Sequence, residues 1–136
     1  MHVYLGPYPK NDEDRAVDVV VHDYDIWNLD STLATIAVPL LKKYREEANG
    51  YFLVDQEDLP EYMRISNRPS YWYGDNLELF PQDDYEVEWA QLEQWRWVVN
   101  EMIYALEAIL NEDSLIATRQ KHGLMLFGKY FQALWD

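Results

Sequence analysis

Apolar residues recur at spacings of three and four along the second half of the chain. Leu92, Trp95, Val99, Met102, Ile103, Leu106, Ile109 and Leu110 share one continuous helical face. The pattern predicts a helix over 85–111. Asp83, Asp84, Glu86 and Glu88 crowd its start, where the helix dipole favours acids. Trp97 and Tyr104, with Glu101 beside them, fall on roughly the opposite face. Aromatics on both sides predict a central helix, covered twice.

Two flanking helices follow from the same periodicity. Leu33, Ile36, Ala37, Leu40, Leu41 and Tyr44 predict an apolar stripe on a helix over 31–47. Asp30 is its expected N-cap, Lys42, Lys43 and Arg45 suit its last turns, and Asn49-Gly50 ends it. Pro39 removes one backbone donor and predicts a kink or a break. A last helix over 115–134 has Ile116, Gly123, Leu124, Phe127, Tyr130, Phe131 and Leu134 as its expected core face, with His122, Met125, Lys129 and Gln132 opposite. Gly123 and Gly128 weaken a helix, and close approach of another backbone is the physical reason to keep them.

The N-terminus alternates with period two instead. Val3-Tyr4-Leu5 and Val17 to His22, joined by the turn-rich stretch Gly6 to Asp14, predict a hairpin over 2–22. Val17, Val19 and Val21 share one of its faces. A two-stranded ribbon is marginal alone, so it is expected to lie on the helices. Residues 50–84 form a long irregular aromatic segment, in which Asp58-Leu59-Pro60-Glu61 reads as a short helix start with Asp58 as cap. The fold class is therefore mostly α (α+β): one domain over 1–136, with three principal helices and an N-terminal β-hairpin.

Composition narrows the function. Among 136 residues, 25 Asp and Glu against 11 Lys and Arg give a formal charge of −14, and a field of that sign repels polyphosphates. Direct nucleic-acid binding is disfavoured accordingly. Only the stretch from residue 114 onward is net basic, through Arg119, Lys121 and Lys129. With no cysteine, disulfides, thiolate metal sites and a Cys nucleophile are excluded. Neither a membrane span nor a signal peptide is predicted.

Catalytic patterns are missing from the sequence. His2, His22 and His122 follow no zinc spacing, and Glu93, Glu101 and Glu107 lack the Glu-x-x-His spacing of di-iron bundles. His22, Asp23 and Asp25 are the one candidate cation cluster, and Asp near a helix start is ordinarily a cap. Ser31, Ser66, Ser70 and Ser114 stand in no nucleophile elbow, and no phosphate-cradling glycine loop occurs. No enzyme activity, cofactor or metal is predicted. Tyr71-Trp72-Tyr73 is the candidate contact surface, because Tyr and Trp supply large contact area at low entropic cost. Asp75, Asp83 and Asp84 nearby would favour a basic partner.

Three stretches carry a resemblance. They are His22 to Ala34 (with Trp27-Asn28-Leu29-Asp30-Ser31-Thr32-Leu33-Ala34), Trp95 to Ile103, and Gly123 to Asp136 (with Phe127-Gly128-Lys129-Tyr130-Phe131 and Leu134-Trp135-Asp136). Together they resemble a widespread family of small, uncharacterised tailed-bacteriophage proteins. The chain departs from that pattern at Asn100, where an acid is expected. The resemblance implies action inside a bacterial cell or within a virion and assigns no functional residues. The resulting expectation is a non-enzymatic accessory protein in the host cytoplasm. It would bind and inhibit a bacterial host protein by steric occlusion through residues 70–85, and in one version mimic DNA before a basic nucleic-acid-binding target. A virion component forming homo-oligomers and a binder of a nucleotide signal are the alternatives.

Overall fold

The computed structural model describes residues 1–65, 81–111 and 116–136, and of 81–86 the backbone alone. Strands β1 (His2–Leu5) and β2 (Val17–Val20) pair antiparallel, with Val3 opposite Val19 and Leu5 opposite Val17. Helices α1 (Leu29–Glu47), α2 (Pro81–Leu110) and α3 (Ala117–Lys129) follow. Short 3-10 turns lie at Asp23–Ile26, Gln56–Asp58, Glu61–Met63 and Phe131–Ala133. The mostly helical class with an N-terminal hairpin is what the sequence predicts.

Helix α2 is central. Lys42 pairs with Glu107, and Arg45 donates to Asn100 Oδ1 at 3.0 Å, so α1 runs antiparallel to α2. Gln120 meets the Ala105 carbonyl and Tyr130 packs edge-on to Trp95, so α3 is antiparallel to α2 as well. Trp95, Val99, Met102, Ile103 and Leu106 are buried as expected; Ala90, Val98, Ala105 and Ala108 are buried too. Trp97 packs 6.2 Å from His122, and the Tyr104 ring lies 3.8 Å beneath the Arg119 guanidinium. Both faces of α2 are covered.

The flanking helices are rotated from their predicted faces. On α1 the buried residues are Ala34, Val38 and Leu41, whereas Leu33 is 58% and Leu40 65% exposed. On α3 they are Gly123 and Leu126, with Tyr130 and Ala133 just beyond its end; Leu124 and Ile116 are exposed and Phe131 is 59% exposed. Small residues explain the rotation. Helix α3 turns Gly123 against α2, which brings those backbones close and swings its larger neighbours outward, and α1 buries Ala34 rather than Leu33. A Cβ on Gly123 would overlap the Glu101 carbonyl oxygen and stand 2.7 Å from Ala105 Cβ. The predicted close approach exists at Gly123, while Gly128 faces open space.

Several boundaries move. Asn28, not Asp30, occupies the N-cap position of α1; Asp30 lies one residue inside and accepts the Ser31 N–H at 2.8 Å. Pro39 does not break α1, because its position and that of Thr35, whose carbonyl loses its helical donor, are exposed to water. Helix α2 begins four residues before the predicted start, so 81–84 belong to it and not to the irregular segment. The last helix stops at Lys129 and continues as a 3-10 turn. Asp58 ends one 3-10 turn rather than capping a helix, and Pro60 precedes the next.

Residues 51–65 are fixed to the bundle by aromatic and amide contacts. The rings of Phe52, Trp95 and Tyr130 form a triangle with centroids 6.0–6.1 Å apart. The Gln56 and Gln94 side-chain amides bond reciprocally at 3.1 and 3.2 Å, and buried Gln94 also donates to the Met63 carbonyl. The closing Trp135-Asp136 has a structural use. Asp136 Oδ1 accepts the N–H groups of Asn49 and Gly50 at 3.0 and 3.1 Å, and Tyr44 Oη donates to the Trp135 carbonyl. Asp136→Ala is therefore expected to cost about 1 kcal/mol in urea unfolding, the worth of solvent-accessible hydrogen bonds to a charged acceptor.

The hairpin departs most from expectation. All eight strand residues are exposed, so it does not lie on the helices. No helix among the described residues is long and apolar enough to cross a membrane.

Candidate functional site

Buried polar groups are the usual place to look for chemistry, and the four among the described residues are all engaged within the fold. Glu101, 6% exposed, receives a bidentate pair of bonds from Arg119 at 2.8 and 3.0 Å. That hydrogen bond raises the Arg119 pKa further. Gln94 is held by Gln56 and Met63 as described. Asp58 Oδ2 accepts from Lys129 Nζ at 2.7 Å and from Tyr130 Oη at 2.6 Å. Burial pushes the Asp58 carboxyl up, but these two donors together outweigh it and hold it below the usual carboxylate range. Lys129 also reaches Asp55 at 2.8 Å, and the bonds from both acids raise its pKa. Tyr130 is pushed up to about 12, first by burial and then by Asp58.

Asp25 completes the set. It accepts the His22 backbone N–H at 2.7 Å and pairs with the Met1 amino group at 3.1 Å. The His22 bond comes first among the causes that lower its pKa. His22 stacks on Tyr24 with ring centroids 5.3 Å apart. Among the described residues, no group of three or more His, Asp or Glu could hold a metal ion. Two clefts among the described residues, about 440 Å³ beside Tyr62, Arg96 and Trp97 and about 390 Å³ beside Val38, Tyr104 and Glu107, are open to solvent.

What remains is apolar surface. The register places Val3, Leu5, Val17 and Val19 on one face of the hairpin, all exposed. The other face carries His2, Tyr4, Asp18 and Val20, with His2 Nε2 3.6 Å from Asp18. Acids surround the ribbon in sequence: Asp12, Glu13 and Asp14 in its connection, Asp23 just after it. The chain then continues through exposed Ile26, Trp27 and Leu29 into the outward stripe of α1. Period-two alternation in Val17-Asp18-Val19 was the available sequence signal for an apolar strand face; that no described residue covers it is visible only in the structure.

Tyr71, Trp72, Tyr73 and Asp75 lie outside the described residues. Asp83 and Asp84 fall in the first turn of α2, and their side chains are outside the description. Comparison with protein-family models, with curated proteins and with solved structures finds no significant match to this chain.

Proposed function

We propose that this chain is a non-enzymatic binding protein that docks on a bacterial host protein through its N-terminal hairpin and blocks or modulates it by occlusion. The uncovered face of Val3, Leu5, Val17 and Val19 carries the reading. A two-stranded ribbon is marginal in water, and four aliphatic side chains on one exposed face cost solvation until a partner covers them. The acids beside the ribbon select a basic partner and speed its approach, with affinity falling as salt rises. Tyr71, Trp72, Tyr73, Asp75, Asp83 and Asp84 are proposed as a second contact, on the aromatic composition of that segment. A bacteriophage accessory role in the host cytoplasm is proposed from the resemblance of the three stretches above.

The test is a tagged pull-down from bacterial lysate at low and high salt, with wild type beside a Val17→Lys/Val19→Lys variant. Wild type is expected to retain a salt-releasable host protein, and the variant to lose at least nine-tenths of it with an unchanged melting temperature. Equal capture by the variant would refute the hairpin as the docking element.

A further inference from the structure

Helix α1 carries a second apolar stripe that the bundle does not use. Leu29, Leu33, Ile36 and Leu40 are spaced four, three and four residues apart, and Ile26 precedes them by three. That is the spacing of a two-helix seam, in which side chains a half-heptad apart stack along one line. The stripe lies about 140° around the helix from the buried residues Ala34, Val38 and Leu41. Leu29, Leu33 and Leu40 are exposed along this line, and Ile36 is half-buried.

Charge identifies the occupant. The chain carries −14, so two copies meeting through most of its surface repel. Helix α1 is balanced: Asp30, Glu46 and Glu47 offset Lys42, Lys43 and Arg45. The residues beside the seam, Thr32, Ala37, Pro39 and Tyr44, are uncharged apart from Asp30 at its start. A basic partner protein gains nothing from such a face, whereas a second copy escapes repulsion there. Direction follows from the ends. Asp30 stands at the N-terminal end of the seam and Lys43 occupies its next position after Leu40. Antiparallel pairing opposes the helix dipoles and brings each Asp30 toward the other copy's Lys43, whose partner within its own chain is Glu47 at 2.6 Å.

Shape agrees with that arrangement. An apolar groove of about 220 Å³ runs between α1 and the end of α3, lined by Ala37, Leu40, Tyr44, Phe127, Phe131 and Leu134. It adjoins the Leu40 end of the seam. Trp27, 76% exposed, stands at the other end, just before Leu29. Antiparallel pairing carries each Trp27 to the other copy's groove, so one contact occurs twice, as two-fold symmetry requires. The exposed surface of Ile26, Trp27, Leu29, Leu33, Leu40 and Phe131 is on the order of 700 Å² per copy, close to the roughly 800 Å² each partner contributes to a standard interface.

We propose that the protein is a two-fold homodimer in which α1 packs antiparallel on α1 of a second copy, with Trp27 of each copy seated in the α1–α3 groove of the other. Sedimentation equilibrium of the full chain from about 1 to 100 µM tests it. The expected mass is twice 16.3 kDa, with association strengthened by salt, which screens the like net charges. Trp27→Ala is expected to raise the dimer dissociation constant at least tenfold, and Leu33→Glu to yield monomer with native helical content by circular dichroism. Lys43→Glu should weaken the dimer, and Asp30→Lys added to it should restore association, which fixes the antiparallel sense. A wild type that stays monomeric at 100 µM, or a dimer indifferent to Trp27→Ala, overturns the proposal. These variants leave the hairpin face intact, so host-protein capture reports on the hairpin separately.

Discussion

Alanine at Gly123 is expected to destabilise the protein by about 2–3 kcal/mol, while alanine at Gly128, five residues on in the same helix, stabilises it by about 1 kcal/mol. Helix propensity favours alanine at both sites by the same amount. The environments decide the sign. At Gly128 a new Cβ meets nothing within 4 Å, so the propensity gain is realised. At Gly123 it strikes the Glu101 carbonyl and Ala105 Cβ. Neither obstacle can rotate away: one is backbone, the other a methyl fixed to it. Helix α3 must lift off α2, which loosens contacts around Leu126, fully buried in the native packing, and pulls Arg119 away from Glu101. Thermal unfolding monitored at 222 nm reads the result directly. Midpoint shifts of about −8 °C and +3 °C are expected for a chain of this size. Shifts of the same sign would mean that α2 and α3 do not cross at Gly123.

Removing the Asp58 carboxylate is expected to cost a further 2–3 kcal/mol, of order. Asp58 is the point where residues 51–65 are tied to the end of α3. Its loss leaves the Tyr130 hydroxyl, buried beneath Phe52 and Trp95, without its acceptor, although Lys129 keeps Asp55. Tyr130→Phe removes the other half and strands the Asp55 N–H that the hydroxyl accepts at 3.0 Å. The double variant should therefore cost less than the sum of the two single changes, because each single change orphans the other's partner. Urea unfolding of all four proteins measures this, and strict additivity would show that the three groups do not act together.

The same cluster gives stability a pH window. Asp58 titrates lower in the fold than in the unfolded chain, so its contribution is present above about pH 4, the unfolded carboxylate value, and is lost as pH falls through the folded one. Lys129 is raised and Tyr130 is pushed up to about 12, so their contributions are complete below about pH 10 and decline as pH rises above it. The Asp58→Ala variant should lose part of the acid-side slope. An unaltered slope would place the acid sensitivity elsewhere.

The three helices, the hairpin and the central place of α2 were legible because each rests on a period that the chain repeats many times. Residues 92–110 carry apolar side chains on both faces, and a helix so built has to be sandwiched. The close approach at Gly123 was legible as well, since a glycine inside a strong helical pattern asks for a reason. The faces of α1 and α3 were not. Leu33 and Ala34 are neighbours in sequence, and hydrophobicity ranks the leucine as the core residue. The structure buries the alanine, because small side chains permit closer backbones and a denser contact. Leucine and phenylalanine then become surface, at Leu33, Leu40 and Phe131.

Candidate surfaces followed the same logic. Tyr71, Trp72 and Tyr73 are candidates on composition and lie outside the described residues. The exposed valines of β1 and β2 and the seam of α1 looked like core material in one dimension, since burial depends on what packs opposite. The sequence by itself determined which segments are helical or extended, the acidity of the chain and the absence of cysteine chemistry, all properties of local periodicity and composition. Tertiary structure alone decided which of two apolar stripes on α1 faces inward, which buried acids are tied to Lys129 and Arg119, and that the hairpin stands uncovered. The reason is that close packing is a relation between elements distant in sequence, and no local pattern encodes how near two backbones can come.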